Sequence, residues 1–349
     1  MKEILFKDKS FIGKFCSAPF ENIEILPTGE VGICGCTGWM PTTVGNILKN
    51  NIVDILKSQL VFKIRKSILD GTYQYCNELS CKLIKNNELI DINELADQQR
   101  KSLEEFDIKK ELFLPKRIFF SGDLTCNLSC PSCRVKIIKY PSDEIEKQKK
   151  LIDVFYKNLF SVPNNILEEL VISTSGEIFA SDTLLGLLKK ISIKDFPNLK
   201  LHLQTNGLLM KKRWSYLQDW RDRVNIVNLT ADSCFKKTYE KLRRGGNFEI
   251  LVDVLKWFKQ EKKGKNIHLI IKSVMQKDNY NEILDFYNFY KNLGADEIHY
   301  TRIGDWGTYG KNFQHVDVFN KKHPQYNEAL KKIELIKNLK DVKIIGDIN

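Results

Sequence analysis

The feature that most constrains this chain is a run of three cysteines in the segment DLTCNLSCPSCR, residues 123–134. Cys126, Cys130 and Cys133 have C-x3-C-x2-C spacing and follow an apolar, strand-like segment at residues 117–120. Three thiolates this close in sequence converge on one metal centre only if the backbone wraps around it. Structural zinc sites and ordinary iron–sulfur sites usually take four protein ligands. A four-iron cluster held by three cysteines leaves one iron open for a ligand that is not protein.

This cysteine run resembles that of the radical S-adenosylmethionine (SAM) superfamily. The resemblance implies that the open iron of a [4Fe–4S] cluster binds the amino and carboxylate groups of SAM. One electron from the reduced cluster cleaves the sulfonium, and the resulting 5′-deoxyadenosyl radical takes a hydrogen atom from the substrate. The alternative is a zinc knuckle completed by Cys234 or a histidine. Ser132 departs from the family pattern, because members often carry an aromatic residue directly before the third cysteine.

Length and composition limit the class of protein. A chain of 349 residues suits one large domain plus a smaller one. No window approaches the ~20 uninterrupted apolar residues of a membrane span. The start, MKEILFKDKS, lacks the apolar run of a signal peptide, so we expect a cytoplasmic location. Nine cysteines in such a chain favour metal ligation or redox chemistry over disulfides.

The net charge of +11 is spread along the chain. There is no long basic block and no RNA-binding motif, so nucleic acid is not the expected substrate, although an RNA-modifying enzyme remains an alternative. A basic face also suits an acidic electron donor such as a flavodoxin or ferredoxin.

The N-terminal part contains a hairpin signal and a helix signal. Apolar runs at residues 23–26 and 31–33 flank Pro-Thr-Gly-Glu, which predicts a β-hairpin. Helical spacing of apolar residues over 46–69, stopped by Asp-Gly, predicts one helix that carries the chain back to the hairpin. Four cysteines then become available to one site: Cys16, Cys34, Cys76 and Cys81.

This arrangement resembles a SPASM-type auxiliary cluster domain. The C-x12-G-x4-C spacing of Cys16, Gly29 and Cys34 matches the opening of that motif. The resemblance implies one auxiliary [4Fe–4S] cluster on the four cysteines. Cys36 is the rival of Cys34, and a structural zinc site is the alternative for the whole set. The family usually places this domain after the SAM core, whereas here it precedes the core.

The rest of the chain alternates strands and helices. Residues 85–113 predict a helical linker, and residues 311–349 a helix and a short strand. Between them the predicted strands are residues 117–120, 170–173, 200–204, 224–229, 268–274 and 297–301. The predicted helices are residues 143–156, 183–191, 248–259 and 280–292.

This order predicts an α/β fold with a parallel sheet and right-handed crossovers. The resemblance implies a partial (β/α)6 barrel of the TIM type, preceded by a small hairpin-plus-helix cluster-binding domain. The expected domains are residues 1–84, the linker 85–113, the core 114–310 and the extension 311–349.

Parallel barrels carry their chemistry at the C-terminal ends of the strands. Ser175, Gly176 and Glu177 follow the second strand and resemble the family's Gly-Gly-Glu motif, which implies that they hold the SAM amino group. A solvated turn is the alternative. Residues 204–207, Gln-Thr-Asn-Gly, follow the third strand and resemble the family's T-N-G turn, which either shapes the rim or touches ligand.

Two further segments extend the predicted SAM site. Thr230 and Asp232 end the fourth strand, at positions that lie near the SAM ribose or carboxylate in the family. The downstream TYEKLRRGG resembles a family segment that supplies an arginine, and we prefer Arg243 over Arg244. A solvated helix end is the alternative for this segment. On the fifth strand, Lys272 is expected to be exposed rather than directed inward.

Two other features are candidates for contact with substrate. The segment YTRIGDWGTY, residues 300–309, offers Arg302, Asp305, Trp306 and Tyr309 either as lining residues or as ordinary packing. Cys234 follows the fourth strand, and its weak S–H bond suits the donation of a hydrogen atom to a substrate radical. The alternative for Cys234 is packing as a small apolar residue.

The sequence thus predicts a radical SAM enzyme that acts on a C–H bond. Resemblance to SPASM-type enzymes implies a sugar or aminoglycoside substrate, or a ribosomal peptide, and an epimerisation, dehydrogenation or crosslinking. Cys234 as donor would favour epimerisation. A different class remains open, an iron–sulfur electron-transfer or substrate-carrying module that no longer cleaves SAM, because Ser132 and Ser175 depart from the family pattern.

Overall fold

The structure is a computed structural model that describes residues 11–97, 99–101, 103, 112–138, 140–161, 166–172, 175–346 and 348. The chain divides into two compact units. The first contains Met1–Gly122, Glu146–Thr174 and Ile191–Leu199, and the second contains Asp123–Ile145, Ser175–Lys190 and Lys200–Asn349.

The first unit contains the predicted hairpin. Its strands are β1 (Lys14–Phe15), β2 (Asn22–Ile25), β3 (Glu30–Gly32), β4 (Gly45–Asn46), β5 (Ile90–Asp91), β6 (Arg117–Phe120) and β7 (Glu169–Ile172). β2 and β3 pair antiparallel, which confirms the hairpin, and β4 extends it antiparallel to β3. β2 also pairs parallel with β6, which pairs parallel with β7. One sheet therefore joins the hairpin to the first two strands of the predicted core.

The helices of the first unit differ from the prediction in one place. They are α1 (Ala18–Glu21), α2 (Ile52–Leu56), α3 (Gln59–Leu69), α4 (Lys82–Lys85) and α5 (Ser142–Leu159), whose first residues belong to the second unit. The single helix predicted over residues 46–69 is wrong, because two helices form. The side chains of Asn51 and Ser58 accept the amides of Asp54 and Val61, and each starts a new helix as its N-cap.

The predicted linker also contains a strand. β5 pairs antiparallel with β1, with Lys14 opposite Asp91, so a wholly helical linker is wrong over these residues. Residues 104–111 of the linker lie outside the described residues.

The second unit contains a parallel sheet with strand order β12-β11-β10-β9-β8. Its strands are β8 (Lys200–Thr205), β9 (Val224–Thr230), β10 (His268–Met275), β11 (Glu297–Arg302) and β12 (Val342–Ile345). Its helices are α6 (Asp182–Lys190), α7 (Met210–Arg213), α8 (Lys236–Leu242), α9 (Phe248–Glu261), α10 (Ile283–Asn292), α11 (Phe313–Val316) and α12 (Tyr326–Glu334). The six predicted strands are present as β6 to β11, which confirms the α/β class. The sequence pattern does not predict α7, α8 and α11, which are too short for a clear apolar period.

The two faces of this sheet differ in polarity. One face, here called the apolar face, carries side chains that are fully buried. They are those of Leu203, Val227, Leu229, Ile271, Ile298 and Tyr300. The Tyr300 hydroxyl donates to the carbonyl of Ile283 (2.6 Å), and its ring lies 5.7 Å from that of Phe286, so helix α10 covers this face. The opposite face, here called the polar face, carries His202, Gln204, Asn228, Thr230, Lys272, Glu297 and His299.

Candidate metal centres

The central cysteine loop is closed by its own backbone. The amide of Cys133 donates to the carbonyl of Cys130 (2.9 Å), and that of Arg134 donates to the same carbonyl (3.0 Å). The amide of Leu128 lies 3.4 Å from Cys126 Sγ, and Arg134 Nε lies 3.4 Å from Cys133 Sγ. N–H groups directed at sulfur favour the thiolate over the thiol. Burial raises the pKa of the Cys126 thiol, and the Leu128 amide and the charge of Arg134 oppose that rise, so these groups offset part of the cost of losing the proton.

Asp123 anchors the start of the loop, and the sequence analysis did not select it. Its buried carboxylate accepts the amide of Thr125 (2.7 Å), the hydroxyl of Thr183 (2.7 Å) and that of Ser181. The only local signal is an Asx turn, which is common in any loop.

Ser175 and Gly176 lie against this loop. The carbonyl of Ser175 accepts Arg134 Nη2 at 2.9 Å. A Cβ on Gly176 would lie 2.3 Å from the Asp123 carbonyl oxygen and 3.0 Å from that of Thr125. Glycine is required here because the two backbones touch.

Glu177 is fully buried and bonded within the protein. Its Oε1 accepts the Thr205 hydroxyl (2.7 Å) and the Phe179 amide (3.1 Å), and its Oε2 accepts the Asn206 amide (2.6 Å). Its own amide donates to Thr125 (2.8 Å). Glu177 thus connects the turn after β8, through its carboxylate, to the cysteine loop, through its backbone amide. Contact between Glu177 and SAM stays a prediction.

Changing Glu177 to Ala is expected to lower the free energy of unfolding by about 2–4 kcal/mol, because three donors lose their acceptor in a buried place. SAM affinity should fall with it, because the turn after β8 loses the carboxylate that holds it, although the bond from the Glu177 amide to Thr125 remains. Chemical denaturation and equilibrium SAM binding measure the two effects. The matched control is Glu168→Ala, at an exposed position. Unchanged stability with weaker SAM binding would instead assign Glu177 to the ligand alone.

The turn after β8 reaches the first cysteine. Asn206 Nδ2 donates to Asn127 Oδ1 (2.8 Å) and lies 3.9 Å from Cys126 Sγ. The T-N-G turn thus supports the cysteine loop directly, a role that the sequence pattern alone left open.

Asp232 and Arg243 form a buried ion pair at the C-terminal end of β9. Asp232 is 1% exposed, and its Oδ2 lies 3.3 Å from Arg243 Nη1. Its Oδ1 accepts the amide of Val274 (2.8 Å), and its φ of 68° is left-handed, which aspartate tolerates better than most residues. Arg244 donates instead to Ser129 Oγ (3.0 Å). The structure therefore places Arg243, and not Arg244, beside Asp232.

Two polar atoms beside Cys130 lack a partner. Arg243 Nε and the Tyr239 hydroxyl are buried without a hydrogen bond among the described residues. Burial alone would lower the pKa of Arg243, but Cys130 and Asp232 raise it above its ordinary value. Burial raises the pKa of the Cys130 thiol, and Arg243 opposes that rise. An unpaired donor near a thiol fits a sulfur-rich cluster with an anionic ligand at this place. Tyr239 was not predicted from the sequence.

The donor set fits an iron–sulfur cluster better than a hard cation, because it consists of sulfur. Within the described ranges, no group of three or more Cys, His, Asp or Glu side chains could hold a metal ion as arranged. The thiol of Cys133 is exposed, that of Cys126 is half-buried, and Thr230 ends β9 half-buried. The fit therefore rests on the donor types, the N–H groups aimed at sulfur and the unpaired atoms beside Cys130.

In the first unit, four thiols influence one another. Burial raises the pKa of Cys76, and the neighbouring thiols Cys16, Cys34 and Cys81 raise it further. Burial likewise raises the pKa of Cys16 to about 11 and that of Cys34 to about 12. The four predicted cysteines thus lie close enough for their charges to influence one another, and their role as metal ligands stays a prediction. Neutral thiols in such a place must lose protons to bind iron, so metal binding and proton release are coupled here.

Gly29 and Cys36 help to decide whether Cys34 or Cys36 is the expected ligand in this unit. Gly29 has φ 81°, and a Cβ there would lie 2.9 Å from Asn46 Oδ1, so this glycine closes the hairpin against β4. Burial raises the pKa of Cys36, and the acidic groups Glu24 and Cys81 raise it further. Cys34 has more thiol neighbours, which favours it over Cys36 as ligand.

Cys234 lies in a different environment. It is buried, and burial together with Glu282 and Asp285 raises its pKa to about 12. Burial raises the pKa values of Tyr290 and Tyr300, and Cys234 raises them further. Because Tyr300 is on the apolar face, Cys234 lies on the helix side of the sheet. None of the three central cysteines is among the groups that shift its pKa.

Two side chains at and after the end of β11 form bonds within the protein. Arg302 forms a two-bonded ion pair with Asp317 (2.9 and 2.6 Å), and the Tyr309 hydroxyl donates to Gln276 (3.3 Å). Trp306 is 76% exposed. Arg302 therefore has a structural partner, and substrate contact by the others stays a prediction.

Two family models match this sequence. The model described as "Radical SAM superfamily" matches residues 124–290, and the one described as "Iron-sulfur cluster-binding domain" (SPASM) matches residues 16–82. No curated protein matches the chain. No helix in the described part of the chain is long and apolar enough to cross a membrane.

Several solved structures are similar to this one. SuiB of Streptococcus suis is 15% identical with a TM-score of 0.44, and the match covers 83% of this chain and 61% of that chain. Native anSMEcpe with bound AdoMet is 18% identical with a TM-score of 0.36, covering 53% and 50%. The methyltransferase TsrM of Kitasatospora setae is 11% identical with a TM-score of 0.31, covering 50% and 34%. This chain thus spans less than two thirds of the length of each of these three.

The family matches define the class of protein. This chain contains a radical SAM domain at residues 124–290 and an N-terminal SPASM domain at residues 16–82. Its cofactors are [4Fe–4S] clusters and SAM, and proteins of this superfamily use a substrate and a reductant. The radical SAM and SPASM domains, the α/β fold class and the cofactors that the sequence predicts are confirmed.

Proposed function

We propose that this protein abstracts a hydrogen atom from a C–H bond of a sugar or a ribosomal peptide. Bound at the central cysteine loop, the cluster and SAM supply a 5′-deoxyadenosyl radical. Cys126, Cys130 and Cys133 would hold this cluster, and Cys16, Cys34, Cys76 and Cys81 would hold one auxiliary [4Fe–4S] cluster. The observation that carries the proposal is the unpaired Arg243 Nε and Tyr239 hydroxyl beside Cys130.

The residues around the loop would bind and orient SAM. Gly176 lets the backbone of its turn approach the cysteine loop closely. Asp232 holds Arg243 in place by an ion pair to Nη1. The rest of the guanidinium would then face an anionic group of the cluster or of SAM. Ser175 and Thr230 lie at the same ends of their strands and would complete the contacts to SAM. Burial of the Asp232 and Arg243 side chains would also keep water from the radical.

We propose dehydrogenation in preference to epimerisation. After the hydrogen atom is removed, the substrate radical would lose a proton and one electron, and the auxiliary cluster would accept that electron. An epimerase must return a hydrogen atom to the substrate radical, and Cys234 was the candidate donor. Its neighbours are Glu282, Asp285 and the tyrosines of the helix side of the sheet. Those contacts favour packing over donation. An acidic flavodoxin or ferredoxin is the proposed reductant, given the net charge of +11.

Changing Cys234 to Ala is expected to leave product formation within about twofold of the unchanged protein, because the thiol packs on the helix side of the sheet. The assay is conversion of the natural substrate in deuterated water, with product and 5′-deoxyadenosine measured by mass spectrometry. The unchanged protein should place no solvent deuterium at the reacting carbon. Loss of product with continued release of 5′-deoxyadenosine, together with one solvent deuterium in the normal product, would instead establish an epimerase.

A further inference from the structure

Arg134 contacts three separate parts of the central cysteine site. Its Nε lies 3.4 Å from Cys133 Sγ. Its Nη1 donates to the carbonyl of Leu124 (2.8 Å), at the start of the cysteine loop, and its Nη2 donates to the carbonyl of Ser175 (2.9 Å), in the turn after β7. Each of the three guanidinium nitrogens thus has its own acceptor, and the planar cation is fixed in position and in orientation.

The charge of Arg134 is directed at sulfur. The two carbonyl oxygens are neutral acceptors, so they hold the guanidinium without cancelling its charge. Burial alone would lower the pKa of Arg134, but the bond to Cys133 and the charges of Cys126 and Cys130 raise it above its ordinary value. The positive charge is therefore felt at all three sulfurs of the loop.

Two other arginines lie near the loop and are bonded differently. Arg243 also reaches the cysteines, but its ion pair with Asp232 offsets its charge. Arg244 donates to oxygen atoms of the loop, among them the carbonyl of Val135 (2.8 Å). Arg134 is the arginine that combines an N–H group on a cysteine sulfur with a charge that no carboxylate bond to it offsets.

A fixed cation beside a cluster sulfur changes the free energy of reduction. Reduction adds one electron, supplied by a one-electron donor, and transfers no atom. The reduced cluster is more negative by one charge, so a cation and an N–H bond at the sulfur stabilise it more than they stabilise the oxidised cluster. Hydrogen bonds to the sulfurs and net charge are among the features that set the potential of an iron–sulfur cluster. Loss of this cation should therefore make the potential more negative.

We propose that Arg134 is a positioning residue that raises the reduction potential of the cluster held by Cys126, Cys130 and Cys133. Its two carbonyl bonds fix the guanidinium, and its Nε acts on the cluster through Cys133 Sγ. A protein reductant can then supply the electron for SAM cleavage more easily. The inference rests on the proposed function, which places the cluster at this loop, and it adds a residue that controls when the cluster accepts an electron.

The test is a redox titration of the anaerobically reconstituted full-length protein, followed by electron paramagnetic resonance. The signal that changes when SAM is added belongs to this cluster, because SAM binds its open iron. In Arg134→Met, the ratio of reduced to oxidised cluster at a fixed potential should fall at least about tenfold, which corresponds to a shift of about 59 mV to more negative potential. The matched control, Arg244→Met, removes a charge from the same loop without a bond to sulfur and should stay within about twofold.

Two further variants separate charge from loop structure. Arg134→Lys keeps the charge but cannot form the fork to both carbonyls, so it should recover part of the ratio. Because Arg134 is not a ligand, each variant should keep about eight irons. If Arg134→Met loses iron, Arg134→Gln, which keeps an N–H donor without the charge, is titrated in its place and should shift in the same direction.

Three results would overturn the inference. They are an unchanged ratio in the uncharged variant with full iron, an equal fall in Arg244→Met, and an Arg134→Lys ratio no higher than that of Arg134→Met. The second would assign the effect to the charge of the loop in general, and the third to a loosened loop. Absence of any SAM-responsive signal in the unchanged protein would contradict the proposed function, whereas a signal whose potential is indifferent to Arg134 contradicts this inference alone.

Discussion

Replacing Cys126, Cys130 and Cys133 together with alanine is expected to remove about half of the bound iron and all SAM cleavage. The unchanged protein, reconstituted without oxygen, should bind about eight irons as two four-iron clusters. The triple variant should keep about four, because the thiols of the first unit form a separate set. Iron and sulfide analysis gives the stoichiometry, and release of 5′-deoxyadenosine after reduction gives the activity.

Cys234→Ala is the matched control, because this thiol has acidic groups rather than the other cysteines as its neighbours. It should bind the full complement of iron. Changing Cys16, Cys34, Cys76 and Cys81 to alanine should remove the other half of the iron. Zinc in place of iron on these four residues, or SAM cleavage that survives the triple change, would contradict the assignment.

The strands of the core were predictable because each is a short apolar run bounded by turn residues. β6 was placed at its observed bounds, and the other five predicted strands begin and end within about two residues of the prediction. The error over residues 46–69 arose where apolar spacing continued through two caps. Apolar spacing does not show where a helix begins. The Ser58 side chain accepts a hydrogen bond from the Val61 amide, and this N-cap starts a new helix.

The metal ligands were predictable for a different reason. Cysteine is a rare residue with few roles, and the spacing between cysteines restricts which of them can bind one cluster, so the sequence alone suggested seven ligands. Their supports could not be proposed in the same way. Asp123, Arg134 and Asn206 act through contacts with residues distant in sequence, and Tyr239 is one tyrosine among twelve. Nothing local in the sequence distinguishes such residues from ordinary loop or helix positions.

The polarity of a sheet face also escaped the sequence analysis. Lys272 alternates with buried Ile271 along β10, which in isolation predicts a solvent-facing lysine. Only the register sets it beside Thr230 and His299 in one row. A strand pattern therefore identifies which residues share a face, but the partners of that face depend on pairing between strands that lie far apart in the sequence.

Changing Arg243 to Met is expected to lower the free energy of unfolding by about 3–5 kcal/mol, because it leaves Asp232 buried without its cation. The Arg243 side chain is 12% exposed and that of Asp232 is 0% exposed, so water cannot replace the lost partner. Chemical denaturation of the reconstituted protein measures the change. Arg244→Met is the matched control, and it should cost about 1 kcal/mol, since this exposed arginine loses only hydrogen bonds at the surface.

The double variant Arg243→Met with Asp232→Asn separates charge from packing. Asparagine tolerates the left-handed φ of 68° and can still accept the amide of Val274, so backbone and hydrogen bond are kept. If the uncompensated carboxylate causes the loss, the double variant should recover more than half of it. A double variant as unstable as Arg243→Met alone would instead assign the effect to the packing of the arginine stem. SAM affinity should remain low in both variants, because neither retains a guanidinium beside Cys130.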